Sequence, residues 1–335
     1  MTTTEDKLEV PVIQPTSSHI TWASRWIHIK ARFGIRRSRY RIEPGLYALG
    51  SPNQGSLVFV SANYILSYDT LRSSLHGLDC YILVLDTKGI NVWCAAGKGT
   101  FGTDELVNRI VQSGCGRVVK HRKLIVPQLG APGISAHEVK QRSGFKVEYG
   151  PIRANDLPEY LIKHEATDEM RRVGFSLRDR LTLIPVEIVS QILITVIIGL
   201  VFYLMGGILG ALGAIAAVFT GQVLFPTLLP WIPTPNFSTK GFILGLLVAL
   251  PFVLLRLTSG ADVAIWQRLG WAITHLLLAV SITAFLALNF TGSTTFTSRS
   301  GVKREIFAYI PAMAWMFGCG LILSITLRLI QAFGA

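Results

Sequence analysis

Two hydrophobic patterns follow one another along the chain. Between residues 55 and 165, short apolar runs alternate with amphipathic stretches. Residues 56–60 (SLVFV) predict a strand and 62–75 a helix behind it; 81–85 (YILVL) predict a second strand, ending at Asp86 and Thr87. Thr103 is placed to cap a helix over 104–112, with acids in its first turn, Leu106, Val107, Ile110 and Val111 on one face, and Gly114 closing it. The next strand falls within 118–126, a short helix over 135–142, a last strand over 145–149 and a helix over 157–163. Apolar strands joined by helical crossovers predict a parallel, Rossmann-like α/β sheet, with ligands beyond the carboxyl ends of its strands.

From residue 186 the alternation gives way to long apolar stretches. Residues 186–229 contain one acid, Glu187, and no base, enough length for two membrane-spanning helices of about 20 residues. Gly206 and Gly207 supply a turn between them. The expected spans are 186–205, 208–229, 239–257, 264–290 and 306–330, an all-α five-helix transmembrane domain. Gly206, Gly207, Gly210 and Gly213 suit close helix packing. The polar residues inside these spans, Gln191, Gln222, His275, Asn289 and Arg328, form no partnered set of the kind that marks an ion pathway. An anchor or docking platform fits them better than a transporter, and His275 is expected to be a hydrogen-bonded bundle residue.

Composition sharpens this division. Residues 1–180 hold 25 of the 32 Lys and Arg and 17 of the 20 Asp and Glu. Such a distribution excludes a single soluble globule, a disordered chain and a wholly embedded protein. The net charge of +12 invites nucleic acid, but many of the bases flank apolar spans, where a membrane topology signal explains them. Arg171, Arg172, Arg178 and Arg180 precede the first span, and Lys240, Arg299, Lys303 and Arg304 fall on the same side against Arg256 and Arg268 on the other. The expected organisation is a flexible N-terminus over 1–18, a cytoplasmic ligand-binding domain with linker over 19–180, and a transmembrane domain over 181–335, in a cytoplasmic (inner) membrane. Residues 1–18 carry acids and prolines where a signal peptide needs an apolar stretch. Trp22, Trp26 and the basic run 30–41 fit a segment on a membrane surface, and equally one that is packed or solvated. The four cysteines, Cys80, Cys94, Cys115 and Cys319, show no CxxC spacing, which argues against a disulfide framework or a zinc site.

The chemistry concentrates at residues 91–100, NVWCAAGKGT, just past a predicted strand end. A phosphate loop is disfavoured, because the Gly required five residues before the GK glycine is replaced by Val92, with bulky Trp93 next. Two readings of Cys94 stay open on the residues alone. It is a buried structural thiol beside a core tryptophan, or it is a thiolate ligand. For the second, Ala95, Ala96 and Gly97 let a large flat ligand approach the backbone, a helix first turn favours thiolate through its unpaired N–H groups, and Lys98 adds a positive charge. Such a thiolate suits a soft metal centre.

The run 91–106, NVWCAAGKGTFGTDEL, resembles the cap-helix signature of the HgcA family of mercury-methylating corrinoid proteins. It is also related to the corrinoid-binding domain of the corrinoid iron–sulfur protein. The likeness extends through 39–50, 58–69, 83–94, 127–147 and 149–161 and a C-terminal block of five spans, nearly the whole chain outside the first 18 residues. The resemblance implies a cobalamin-type corrinoid held by an α/β domain with a cap helix, Cys94 being the lower axial ligand of cobalt. It places the cofactor against Asn91, Val92, Trp93, Cys94, Ala95, Ala96, Gly97 and Lys98. Ser61, Asn63 and Thr87, just past strand ends, would bind corrin amides or stay solvated, and the loop 128–133 would approach the cofactor or its nucleotide tail. Asn91 and Trp93 pin the cap, Trp93 by packing or by stacking on the corrin. The other corrinoid architecture uses Asp-x-His-x-x-Gly, which no histidine here satisfies.

The implied activity is transfer of a methyl group from Cys-ligated methylcobalt to Hg(II), giving methylmercury. Mercury(II) is an electrophile, so the methyl must leave with its bonding electrons or as a radical. A thiolate opposite the methyl group donates electron density through the metal, as axial Cys does in thiolate haem. The implied partners are a two-cluster [4Fe-4S] ferredoxin-like electron donor, a folate-type methyl donor and the membrane. Cys115 is expected to be a plain thiol rather than a mercury shuttle. One rival is a membrane-tethered corrinoid methyl carrier of one-carbon metabolism with another acceptor; a second is a non-enzymatic five-span protein with a regulatory soluble domain.

Overall fold

The computed structural model describes residues 11–258, 263–294 and 297–333. It divides into two compact units, Met1–Gly174 and Phe175–Ala335. The boundary falls a few residues before the expected one, because Phe175 and Leu183 pack with Phe225 and Phe290 of the helical unit.

The first unit is a mixed α/β sheet domain. In chain order it runs β1 (Ile13–Thr16), α1 (Trp22–Arg32), β2 (Gly45–Leu49), β3 (Val58–Ala62), α2 (Ile65–Ser74), β4 (Cys80–Leu85), α3 (Val92–Lys98), α4 (Thr103–Gln112), α5 (Cys115–Val118), β5 (Lys123–Val126), α6 (Ala136–Ser143), β6 (Lys146–Tyr149), α7 (Leu157–Lys163) and α8 (Asp168–Arg171). The six strands lie in the order β1-β2-β4-β3-β5-β6. β3 pairs parallel with β4 and β5, and β5 with β6, as the alternation of strand and helix predicts. The apolar runs of β3 and β4 are buried at every position, as strands covered on both faces must be.

Two features depart from the expected parallel sheet. β2 runs antiparallel to β4, with Gly45 opposite Val84 and Leu49 opposite Cys80. β1 then adds parallel to β2, inside the stretch expected to be flexible. It is an edge strand, where Pro15 with its missing N–H is tolerated, and side chains of α2 hold it. The Tyr68 hydroxyl donates to Thr16 Oγ1 at 2.8 Å, and Arg72 Nη1 donates to the carbonyls of Ser17 and His19. The rest of that expected flexible stretch, residues 1–10, lies outside the described residues.

Two apolar layers cover the sheet. One joins Leu83, Leu85, Leu106, Ile110, Leu124, Val126 and Phe145; the other joins Phe59, Tyr68, Leu75, Ile82, Ile125 and Leu157. Helix α4 starts one residue earlier than expected. Thr103 is its first residue, and the threonine hydroxyl instead accepts the Ser135 N–H at 2.8 Å, tying α4 to the cap of α6.

The second unit is helical: α9 (Leu177–Leu181), α10 (Ile184–Phe219), α11 (Phe225–Leu228) after a π-turn, α12 (Phe237–Thr258), α13 (Ile265–Asn289) and α14 (Arg299–Phe333). Among the described residues, four helical stretches are long and apolar enough to cross a membrane: Leu177–Leu228, Phe237–Thr258, Ile265–Ser293 and Ser300–Phe333. The first does not run straight. Gly207 has φ 67° and ψ −161°, which breaks α10 in its middle. A Cβ on Gly199 would lie 3.2 Å from Ile215, and one on Gly210 would lie 2.4 Å from the Phe202 carbonyl oxygen. In a straight helix residues 199 and 215 would stand about 24 Å apart, so the chain doubles back at Gly207.

Polar contacts fall into two groups along this bundle. Near one end, Glu187 accepts from Ser293, Lys240 Nζ donates to the carbonyls of Leu229 and Ile232, Asn236 bonds Tyr309, and Ser238 N–H donates to Glu305. Near the other, Arg256 donates to the Gly206 carbonyl and Arg268 to the Leu257 carbonyl. Lys240 and Arg256 therefore cap helix ends, and their charges are not simply loop signals of topology. Both ring nitrogens of His275 lie against backbone carbonyls, those of Trp271 at 2.8 Å and Leu209 at 3.2 Å, as a packed bundle histidine should.

Candidate functional site

The site is built at the carboxyl ends of β3, β4 and β5. β4 ends at Leu85, and the next residues turn sharply: Lys88 and Gly89 both have positive φ, 57° and 73°. Asn63, directly after β3, organises that turn. Its Oδ1 accepts the N–H groups of Thr87 (3.1 Å) and Gly89 (2.9 Å) and lies 2.9 Å from the Thr87 hydroxyl, while its Nδ2 donates to Asp86 at 3.1 Å. Asp86 in turn accepts the Lys88 N–H, and its own N–H donates to Glu105 on α4. Ser61, Asn63 and Thr87 are all buried, and Ser61 donates to the adjacent Ala62 carbonyl. The polar atoms of Asn63 and Thr87 serve the turn that launches α3, and all three residues are buried rather than part of a solvated loop.

That turn delivers α3. Asn91 is its N-cap, and the Asn91 side chain accepts the Cys94 N–H at 2.9 Å. The expectation that Cys94 sits among unpaired N–H groups is corrected in this respect: its own amide is satisfied. Gly99, with φ 81°, ends the helix in the left-handed region that favours glycine. Seven residues divide cleanly by face. Val92, Ala95 and Ala96 are buried, whereas Trp93, Cys94, Gly97 and Lys98 are exposed. Trp93, 37% exposed, is thus on the open side with Cys94 rather than in the core. A Cβ on Gly97 would meet nothing within 4 Å. The thiol therefore stands free on a surface where a large flat group has room.

The support beneath α3 is unusually close-packed. A Cβ on Gly133 would lie 2.2 Å from the Phe101 carbonyl oxygen and 3.0 Å from the Ala96 Cα. One on Gly130 would lie 2.4 Å from the Phe101 ring, which is fully buried. The glycines of the loop 128–133 thus let the backbone after β5 press against α3 and wedge Phe101 beneath it. The same loop presents Gln128, whose Oε1 is buried without a hydrogen-bond partner among the described residues.

Tyr64 is the residue that sequence reasoning missed. It is the N-cap of α2, next to Asn63, and only 3% exposed. Its hydroxyl is buried, and the Arg37 guanidinium lies 5.2 Å from the ring centre. Burial pushes the Tyr64 phenol up; the Arg37 guanidinium opposes this, and a negative charge on Cys94 would push it further. Tyr64, Arg37 and Cys94 therefore share one electrostatic neighbourhood. The signal available in sequence was only an aromatic residue directly after a strand, in SANY.

The remaining cysteines of this unit differ. Cys80 and Cys115 are fully buried, and burial pushes each thiol up to about 12. Among the described residues no group of three or more His, Cys, Asp and Glu is placed to hold a metal ion. Among the described residues the site offers one exposed soft ligand, a buried Gln128 oxygen and a clear surface.

A mixed α/β domain with a single thiol at the carboxyl edge of its sheet, followed by apolar helices, is the class of protein these observations define. Known proteins narrow it for the first unit. Residues 32–161 match the family model described as CO dehydrogenase/acetyl-CoA synthase delta subunit. The gamma subunit of the acetyl-CoA decarbonylase/synthase complex of Methanopyrus kandleri is 32% identical over 129 residues, 38% of this chain and 28% of that protein. The corresponding subunit of Archaeoglobus fulgidus is 29% identical over 161 residues, 47% of this chain and 33% of that protein. That of Methanothermobacter thermautotrophicus is 30% identical over 129 residues, 38% of this chain and 28% of that protein. The chain thus spans a third or less of the length of these relatives, and the family-model match falls within the α/β unit.

Proposed function

We propose that this chain is a membrane-tethered corrinoid methyltransferase of the mercury-methylating type, with Cys94 as the cobalt ligand. The observation that carries the proposal is the presentation of Cys94: an exposed thiol on a capped helix at the carboxyl edge of the sheet, above a glycine-lined support. The donor chemistry fits a cobalamin-type corrinoid. Cys94 would hold the cobalt through a soft thiolate, the space at Gly97 would admit a flat macrocycle, and the buried Gln128 oxygen would accept from a ligand rich in amides. When bound, such a group supplies a cobalt-held methyl group for transfer to a soft electrophile.

The chain's own residues have separate tasks. Cys94 would hold the metal through its thiolate and lend it electron density. Asn91 fixes the helix turn that aims the thiol, and Asn63, Thr87 and Asp86 fix the turn before it. Lys98 supplies a positive charge one turn beyond Cys94, and Trp93 shields the same open face. Hg(II) is the substrate that this electron-rich arrangement favours. Four cysteines without a paired spacing leave the reducing electrons to a separate two-cluster ferredoxin-like protein, and renewed methylation to a folate-type donor.

For the helical unit we favour five crossings. The break at Gly207 separates arms 184–206 and 208–228, each long enough to span. The two groups of end contacts, Glu187 to Glu305 and Gly206 to Arg268, alternate as five antiparallel crossings require. The bases beside the first span then put the α/β unit in the cytoplasm, at the inner membrane.

A second reading draws on the relatives, whose names place them in an acetyl-CoA decarbonylase/synthase complex: a tethered corrinoid methyl carrier of one-carbon metabolism with a different acceptor. One experiment separates the two. Cells producing this chain with a ferredoxin partner are expected to form methylmercury, and cells with Cys94→Ala are not. A visible corrinoid spectrum in the anaerobically purified chain without methylmercury formation would favour the carrier. Absence of bound corrinoid, or a spectrum indifferent to Cys94→Ala, would sink both.

A further inference from the structure

Helix α1 is amphipathic the wrong way round for a helix that serves only its own domain. Its packed face carries Ser24, Ile27, His28 and Ala31, of which only Ala31 is fully buried. The opposite face carries Trp22, Trp26 and Ile29, continued by Phe33 at the helix end, exposed by 84%, 57%, 45% and 41%. At about 100° per residue these four side chains fall within roughly 60° of arc. The outward orientation is fixed. His28 Nε2 bonds Asp69 Oδ2 at 2.6 Å, and Asp69, only 1% exposed, is held from its other oxygen by Arg72 at 2.6 Å. The helix cannot roll its aromatic stripe inward without breaking that buried network.

The charge around the stripe is one-sided. Between residues 20 and 42 stand Arg25, Lys30, Arg32, Arg36, Arg37, Arg39 and Arg41, with no acid among them. Arg25 and Arg32 flank the stripe on one side and Lys30 on the other. Arg25 lies 5.3 Å from the centre of the Trp22 ring, and the Lys30 ammonium 5.6 Å from that of Trp26. Tryptophan rings framed by cations match the chemistry of a headgroup layer: indoles at the level of the glycerol backbone, bases on the phosphates.

We infer that α1 and the basic segment after it form a second membrane contact, a monotopic one, that lays the α/β unit on an anionic phospholipid surface. The inference rests on the reading of the helical unit as membrane-embedded, since a tether raises the effective concentration of lipid at this face. A second copy of the chain is a poor occupant, because seven bases would face seven bases. An acidic protein is the competing occupant, and the test includes it.

The full chain is reconstituted into phosphatidylcholine vesicles with and without ~30% phosphatidylglycerol, with acyl-brominated lipids as tryptophan quenchers. Subtracting the emission of the Trp22→Phe/Trp26→Phe variant isolates these two rings from the other five tryptophans. In anionic vesicles the difference emission is expected to be quenched about twofold, and much of it to recover at high salt or in Arg25→Gln/Lys30→Gln/Arg32→Gln. Difference emission that stays unquenched in a chain resisting alkaline carbonate extraction overturns the inference while leaving the spans intact. Quenching equal in neutral and anionic vesicles overturns the anionic assignment. Rings that remain wet on vesicles but shift to the blue with an acidic ferredoxin overturn the lipid in favour of that partner. A chain that washes off the vesicles removes the membrane reading and this inference together.

Discussion

Cys94 and Cys115 occupy comparable local settings in one domain and have opposite fates. Each sits at the start of a short helix, the one two residues beyond Val92, the other directly after Gly114, whose φ is 63°. Cys94 is exposed; Cys115 is sealed among Ile110, Val119, Leu124 and Phe145, and burial pushes its thiol up to about 12. The difference lies in which edge of the sheet each helix serves. Helix α3 follows the carboxyl end of β4 and turns Cys94 to its exposed face, whereas α5 leads into β5 at the opposite edge and turns Cys115, its one buried residue, into the core. A cysteine's chemistry here is set by topology more than by its immediate neighbours in sequence.

The sharpest way to break that contrast is to exchange the losses. Under the proposed function, Cys94→Ala is expected to lower methyl transfer to Hg(II) by more than ~100-fold, exceeding what loss of a supporting group brings at a metal site. Thermal unfolding should barely move, since an exposed substitution is worth within about 0.5 kcal/mol. Cys115→Ser should do the reverse: activity retained per folded molecule, stability lowered by about 1–3 kcal/mol as a hydroxyl is buried without a partner. Equal effects on activity from both variants would refute the division between a ligand thiol and a core thiol.

The buried thiols give the fold a pH signature of their own. Cys80 and Cys115 ionise near 9 when unfolded and near 12 when folded. Below pH 9 both states hold the protons and nothing changes. Above it the unfolded chain releases two protons that the folded chain keeps, so stability falls as pH rises from about 9 to 12. The slope is about 1.4 kcal/mol per pH unit for each thiol. Tyr68, pushed up to about 12 by burial, adds to the trend. Denaturant melts of the full chain from pH 8 to 11 check this, and Cys80→Ala/Cys115→Ala should flatten the curve. Alkylation at pH 8 should meanwhile label Cys94 and spare both buried thiols.

Much of this architecture is legible in the sequence, and the parts that are not share a cause. The runs of β3 and β4, the stripe of α4 and most of the long apolar helices depend on local periodicity and are read within a residue or two; the last helix begins seven residues before the expected 306, at Arg299, because its first turns are polar. The doubled arm at Gly207 was visible as a glycine pair. By contrast, β1 and the antiparallel β2 are short segments whose only reason to be strands is a partner far along the chain. Tyr64 and Arg37 beside Cys94 likewise meet through the fold, with Tyr40 and Arg41 running along Asn63–Ile65 to bring them there. Asn63 and Thr87 were recognised as strand-end polar residues, but their engagement with each other is a three-dimensional fact. What could not be read was which polar atoms would be left over for a ligand.

The support under α3 offers a smaller test of the same comparison. Gly133→Ala would place a methyl group against the Phe101 carbonyl and Ala96, neither of which is a flexible side-chain end. The backbone must shift, at about 1–3 kcal/mol, and the shift moves α3. Corrinoid retention should therefore fall with stability, as a spectrum after gel filtration would reveal. A matched change beneath the other helix, Gly116→Ala, meets only the Arg122 side chain at 3.4 Å and the Phe145 ring at 3.6 Å, and should leave retention unchanged.

Asn91→Ala is the mildest change and the most specific. It removes the acceptor for the Cys94 N–H without touching the thiol, and loss of such an N-cap lowers stability by about 1 kcal/mol. If the cap serves only the fold, methyl transfer should follow the folded fraction. If it aims the thiol, as the exposed face of α3 implies, transfer should fall further than the folded fraction does, and Asn91→Asp should restore it by supplying the same acceptor oxygen. Alkylation of Cys94 provides the independent readout: a thiol still fully reactive in Asn91→Ala, with transfer lost, places the defect in geometry and not in exposure.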